Sequence, residues 1–190
     1  AAPSANRYQG LSPTLASHVT RSLGDAVALV LDGGPCEAGV ESTVVDVRGP
    51  TATLLRPGAV SLDALAAVWP VTVGPRLAAG ERASPGLDAK HYAPRARLRL
   101  CAPGTLDAHV AEQLARGLGA VGALVVEGAP APSGALVERL EATPKGYARG
   151  LFAALHRLDD AGVSVVLAEA VPDTTAWAAV SDRLTRAASG

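Results

Sequence analysis

Methionine is absent from the 190-residue sequence, and its two cysteines, Cys36 and Cys101, stand far apart. The missing methionine leads us to expect a truncated or processed chain. Two cysteines at that distance exclude a zinc knuckle or a disulfide framework and are read as two reduced thiols of a cytoplasmic protein. No run approaches the roughly 18 consecutive apolar residues of a membrane span. The opening Ala1–Asn6 has neither the charged nor the apolar region of a signal peptide. Lysine is almost missing as well: Lys90 and Lys145 stand against 15 arginines. With so much alanine and glycine around them, this reads as a coding bias rather than a device for gripping phosphate. A formal net charge of -1 argues against a polybasic wrapper of nucleic acid.

What is present describes an ordinary globular chain, 48% apolar and 18% charged, long enough for one domain or two small ones. Ser12-Pro13-Thr14 reads as a helix opening, with Ser12 as cap, Pro13 in the first turn, and Leu15, Val19 and Leu23 on one face up to a stop at Gly24. Residues 26–31 read as a strand, and Asp32-Gly33-Gly34-Pro35 as a turn. Two runs, 42–47 and 52–56, read as a hairpin turning near Gly49 and Pro50. Ser61 should cap a further helix. Residues 70–95 hold glycine, proline and a one-sided set of basic residues without periodicity, which marks an interdomain linker. Beyond it strand and helix alternate: strands at 97–101, 121–126 and 163–167, helices at 105–118, 136–140, 144–161 and 175–188. That alternation predicts a small, mostly parallel α/β layer. Gly117, Gly119 and Gly122 have the spacing of a dinucleotide fingerprint but lie between a helix and a strand, the wrong order for one.

Few residues point to chemistry. With the hairpin turn at Gly49-Pro50, facing residues have numbers that sum to about 99. Ser42 and Thr43 then lie beside Arg56 and Pro57 at the open end. Hydroxyls beside a guanidinium suit an anion, because arginine offers phosphate a rigid fork of donors. The competing reading is a strand-end arginine paired with Asp46 or Glu41. The polar loop Pro3-Ser4-Ala5-Asn6 leading into Ser12 and Thr14 suits a phosphate or simple capping. His91-Tyr92 could cover a nucleotide or anchor the linker. His18, His109 and His156 read as structural or solvent-facing, and no metal-ligand set stands out.

Three segments, in order, resemble the long two-domain form of the threonylcarbamoyl-AMP synthase family. They are Ala2-Pro3-Ser4-Ala5-Asn6 through Ser12-Pro13-Thr14; Asp32 to Cys36 and Gly39 to Asp46, closing in Leu55-Arg56-Pro57-Gly58; and Ser84-Pro85-Gly86 with His91-Tyr92-Ala93-Pro94. Leu158-Asp159, Asp182-Arg183-Leu184 and Arg186-Ala187-Ala188 resemble its C-terminal domain. The resemblance implies an α/β fold: the C-terminal half of a YrdC-like catalytic domain (1–70), a linker (71–96) and a small Rossmann-like three-layer α/β domain (97–190).

It further implies an enzyme that joins L-threonine, bicarbonate and ATP, with Mg2+, into threonylcarbamoyl-AMP and pyrophosphate. The product would pass to a downstream tRNA threonylcarbamoyl transferase machinery that modifies tRNA position 37. By motif, Ser4 and Ser42 would hold threonine. Asn6, Ser12, Thr14, Arg56, His91 and Tyr92 would hold ATP, with Arg56 catalytic and His91-Tyr92 closing over the ligands. The family's upstream threonine-tyrosine-glycine loop and lysine–arginine pair are not in this sequence, so the chain alone is expected to be inactive. Residues 97–188 are expected to fold independently. A nonenzymatic RNA- or partner-binding module, with a weak tRNA contact through the basic stretch from Arg76 to Arg99, is the alternative.

Overall fold

The computed structural model describes residues 4–74 and 92–189. Most of residues 71–96, including His91, Arg76, Arg82 and Lys90, therefore lies outside the described residues.

The C-terminal part is a four-stranded sheet of β4 (Arg97–Cys101), β5 (Val121–Val126), β6 (Leu136–Leu140) and β7 (Val165–Glu169). Their order is β4-β7-β5-β6, and every pair is parallel. The central strand β5, Val-Gly-Ala-Leu-Val-Val, is an unbroken apolar run, as expected of a strand covered on both faces. Alternate residues along the strands feed two cores. On one face Val121, Ala123, Val125 and Leu167 pack with Leu106 and Val110 of α3 (Leu106–Ala115). On the other, Leu98, Leu124 and Val166 pack with Leu151, Phe152 and Leu155 of α4 (Pro144–Asp160) and with Val180 and Leu184 of α5 (Ala178–Ala188). The Thr143 hydroxyl accepts from the Gly146 N–H and Pro144 opens α4, at the position where the sequence starts this helix.

One C-terminal element departs from its sequence reading. Residues 136–140, read as helical, form strand β6 on β5. Five residues are too few for a period to declare itself, and the ladder with β5 decides. Glu138 of β6 then meets Arg157 of α4 through two parallel hydrogen bonds of 2.9 and 2.6 Å. The final helix also begins later than expected, with a 3-10 turn at Thr175–Trp177 ahead of α5.

The N-terminal part contains α1 (Ala16–Leu23), β1 (Val44–Asp46), β2 (Ala52–Arg56), α2 (Leu62–Ala66) and β3 (Val71–Val73). β1 and β2 form the expected antiparallel hairpin. Asp46 faces Thr53 and Val45 faces Leu54, and the register then slips so that Val44 faces Arg56. The extra residue on β2 is Leu55. A local slip of this kind re-aims the side chains beyond it. β3 adds in parallel on β2, inside the stretch expected to lack regular structure. Ser61 caps α2 by accepting from the Ala64 N–H.

Two expectations fail here. Residues 26–31 form no strand: after a 3-10 turn at Gly24–Ala26 the run continues unpaired, with Leu29 and Leu31 73% and 85% exposed. A strand exists only with a neighbour to share its hydrogen bonds, and among the described residues none lies alongside. Ser12 does not cap α1, which starts four residues later behind Leu15 and without a side-chain cap. The Ser12 hydroxyl is instead committed to Glu41. Of the residues on α1, His18 is the buried one, while Leu15 is exposed.

The two parts touch extensively. Leu11 joins the core on the α4–α5 face. Gly39 lies against α4 with φ +72°, where a Cβ would stand 2.3 Å from Arg149 Cα, so only glycine permits the approach.

Candidate functional site

The open end of the hairpin collects charge. Arg56, the last residue of β2, is 8% exposed. Its Nη2 and Nε donate to the Ser42 carbonyl at 3.1 and 3.3 Å, and its Nη1 donates to the Tyr92 hydroxyl at 3.1 Å. Arginine and serine thus meet as the hairpin register predicts, but through the serine carbonyl; the Ser42 side of the contact is exposed. Asp46 pairs with Arg48, and Glu41 with Arg183, so the carboxylates considered as partners of Arg56 have other counter-ions in contact.

Tyr92 is placed in the core, 1% exposed, with its ring tilted on Phe152 at 5.7 Å. Its hydroxyl reaches Arg56, and the Arg183 guanidinium stands 5.2 Å from the ring centroid. Burial, with Glu41 nearby, pushes the phenol above its ordinary range, so it stays neutral. The next residue ties back to the N-terminal loop: the Ala93 N–H donates to the Gln9 carbonyl at 3.0 Å.

The other candidates are distributed around this cluster. Ser12 is buried and bonds to Glu41, the neighbour of Ser42. Asn6 folds into its own loop, its amide donating to the carbonyls of Arg7 and Gly10. Its Oδ1 is buried and has no hydrogen-bond partner among the described residues. Ser4 is exposed. Thr14 is buried against α1: its N–H donates to His18 Nδ1 at 3.1 Å.

Four residues passed over as site-builders matter: Glu41, Arg183, His18 and His156. Glu41 Oε2 accepts from Arg183 Nε at 2.7 Å, and Arg183 continues to Asp182 and, through it, to Arg186. The signal lay in α5, where Arg183 falls on the apolar stripe of Val180, Leu184 and Ala187; a guanidinium there must be paired. His18 and His156 stack at 3.8 Å between α1 and α4, and His156 Nε2 lies 3.2 Å from the Ser12 carbonyl. Burial and the neighbouring imidazole hold His18 down to about 4.

Among the described residues no group of three or more His, Cys, Asp or Glu side chains is placed to hold a metal ion. The Mg2+ implied by the sequence resemblance therefore has no protein cage among them. Magnesium commonly rides on substrate phosphates and keeps its waters. Cys36 is exposed and Cys101 buried, both as thiols. Of the basic stretch, Arg95 is engaged with Asp159: its N–H donates to Oδ2 at 2.9 Å and its Nη2 to the Asp159 carbonyl at 2.8 Å. No described helix is long and apolar enough to cross a membrane.

Fold and site define an α/β protein in which a parallel-sheet unit braces an arginine-bearing hairpin. The chain belongs to the threonylcarbamoyl-AMP synthase family: residues 60–189 match the family described as "Threonylcarbamoyl-AMP synthase, C-terminal domain". Residues 1–58 match the family described as "Telomere recombination". Along its whole length the chain is 37% identical to a threonylcarbamoyl-AMP synthase of Bacillus subtilis and 31% identical to one of Schizosaccharomyces pombe. It spans 57% and 52% of those relatives. A Pyrococcus abyssi relative, solved as a complex with L-threonine, superposes with a TM-score of 0.85 at 32% identity, over 98% of this chain and 56% of that one. The chain thus spans just over half the length of these three relatives.

Proposed function

We propose that this chain supplies one wall of the site of an L-threonylcarbamoyladenylate synthase, the remaining wall coming from the part of the fold that its relatives carry and this sequence does not. The observation that carries the reading is the meeting of Arg56, Ser42 and Tyr92 at the mouth of the hairpin, in a chain similar to a protein that holds L-threonine. Domain limits of 1–70, 71–96 and 97–190, with a Rossmann-like C-terminal unit, belong to the same proposal.

In the reaction, the threonine amine and bicarbonate give a carbamate and water. A carbamate oxygen then attacks the α-phosphorus of ATP, and the bond to the β-phosphate breaks to release pyrophosphate. Arg56, already fixed by the Ser42 carbonyl and the Tyr92 hydroxyl, would meet the phosphates with a pre-oriented cation, so little reorganisation is needed as charge shifts. The Ser42 and Ser4 hydroxyls would hold threonine, and Asn6, Ser12, Thr14 and His91 would complete the nucleotide side. The product would serve tRNA modification at position 37.

The test is threonine-dependent pyrophosphate release by a protein with the complete fold. Replacing Arg56 by Ala should remove roughly 2–4 kcal/mol of transition-state stabilisation, a loss of about 30- to 900-fold in rate. Near-normal release by that variant would remove Arg56 from the reaction.

A further inference from the structure

We infer that Arg183, on the last helix, is a positioning residue for this reaction, holding both strands of the hairpin mouth from the C-terminal unit; the inference rests on the functional reading above. Arg183 is 0% exposed, so it touches no substrate and acts only through its partners. Its donors are spread over the site. Nε donates to Glu41 Oε2 at 2.7 Å and Nη2 to the Glu41 carbonyl at 3.4 Å. Nη1 donates to the Pro57 carbonyl at 2.9 Å and to Asp182 Oδ2 at 2.8 Å.

Glu41 is the residue before Ser42, and Pro57 the residue after Arg56. The last ladder pair of the hairpin is Val44 with Arg56, and the register slips just there. Beyond that pair the backbone ladder stops; Thr43 and Val60 exchange hydrogen bonds through the threonine hydroxyl, Arg56 reaches the Ser42 carbonyl, and the Arg183 guanidinium bridges Glu41 to Pro57. The same guanidinium stands 5.2 Å from the centroid of the Tyr92 ring, and Tyr92 accepts from Arg56. Arg183 therefore contacts the neighbour of each site residue on the hairpin and the phenol that holds Arg56.

Two local features fit this role. Gly58 lets the strands close: a Cβ there would lie 2.3 Å from the Thr43 nitrogen and 2.5 Å from the Glu41 carbonyl. The second oxygen of Glu41 takes the Ser12 hydroxyl, so the N-terminal loop hangs on the same carboxylate. A lysine could not reproduce the arrangement, because its ammonium is a point donor on a flexible stem, whereas the fork of arginine fixes several acceptors in one plane.

The test has two independent readouts. The first is amide hydrogen exchange on the full chain, comparing wild type with Arg183→Lys and Arg183→Met, and with Glu41→Gln in case the methionine variant does not fold. Amides of 42–46, 52–56 and Gly58 should exchange about tenfold or more faster in each folded variant, the scale of a lost hydrogen bond to a charged group. Amides of β4, β5 and β7 should keep their protection. An unchanged hairpin, or equal acceleration in both units, would overturn the inference.

The second readout is steady-state pyrophosphate release with the complete fold. Arg183→Lys should lower kcat by about tenfold or more while the KM for threonine moves little, because misplacing Arg56 costs the transition state rather than ground-state binding. An unchanged kcat, or a change confined to KM, would count against positioning. A wild-type protein that releases no pyrophosphate would sink the functional reading alone, and the exchange data would still decide whether Arg183 holds the hairpin.

Discussion

The two parts of this molecule solve the same problem with different means. In residues 92–189 every strand has neighbours from the same stretch, and helices cover both faces of the sheet, so the apolar residues bury one another. In residues 4–74 the sheet has only three short strands, and large apolar side chains stay in water: Leu29, Leu31, Val47, Val68 and Val73 are each more than 60% exposed. What holds this part in place is largely polar and comes from the other part. Arg183 grips Glu41 and Pro57, Asp160 meets Arg21, and His156 stacks on His18. One region is stabilised by its own core; the other is fastened to it.

The largest effect that could break this comparison is a cavity in the C-terminal core. Leu151 is 0% exposed, and Leu151→Ala should cost about 2–5 kcal/mol, read as a lower denaturant midpoint with unfolding of both parts together. If the N-terminal part kept its own transition after that loss, it would not depend on the C-terminal core.

Acid should act next, and at the seam. His18 is held neutral, down to about 4 from an ordinary 6.5, and burial lowers His156 as well. The groups around the pair are Arg21 and Arg157, which oppose protonation, and Asp159 and Asp160, which favour it. Thr14 donates to His18 Nδ1, so that nitrogen is an acceptor, and protonating it breaks the bond. The unfolded chain takes up the protons first. The histidine contribution is therefore complete above pH 6.5 and fades as pH falls from 6.5 through about 4. Urea midpoints across that range should fall with pH, and His18→Gln should flatten the slope. A slope unchanged in that variant would assign the acid sensitivity elsewhere.

Helix caps offer a finer contrast. Thr143→Ala, at the start of the 17-residue α4, should cost about 1 kcal/mol of global stability. Ser61→Ala caps a five-residue helix in the fastened region and should be felt locally, as faster exchange of the α2 amides with little shift in the midpoint. Similar midpoint shifts for the two would mean that the regions unfold with equal weight.

The smallest expected change is Leu29→Ser. A side chain 73% exposed contributes little here, and its replacement should move stability by no more than about 0.5 kcal/mol. In a protein with the complete synthase fold the same substitution should cost several times more if the missing wall packs on this run. Equal effects in the two contexts would show that Leu29 faces water in both.

Much of the molecule could be read without coordinates. The continuous apolar run of β5, the helix beginning at Pro144 and the arginine–serine juxtaposition across the hairpin follow from local pattern and turn chemistry. These depend on neighbours in sequence, and the structure reproduces them. Residues 26–31 were legible as a short apolar run and 136–140 as a five-residue helical pattern, and segments so short take their state from a partner strand. β6 has one in β5, and 26–31 has none among the described residues. The fate of Ser12 was likewise unreadable, because a hydroxyl that could cap a helix chose a carboxylate 29 residues away.

The sequence by itself determined which segments turn, which alternate between strand and helix, and which serine and arginine share a hairpin end. Those outcomes rest on propensity, periodicity and register within a few residues. Only the tertiary structure decided that Arg183, 127 positions beyond Arg56, closes that hairpin, and that Tyr92 is buried beneath it rather than lying on the surface. A buried guanidinium declares that it needs acceptors, but the chain does not say which ones. That choice is made by the packing that carries α5 to the mouth of the hairpin, where desolvation leaves the charge no alternative to the oxygens of Glu41, Pro57 and Asp182.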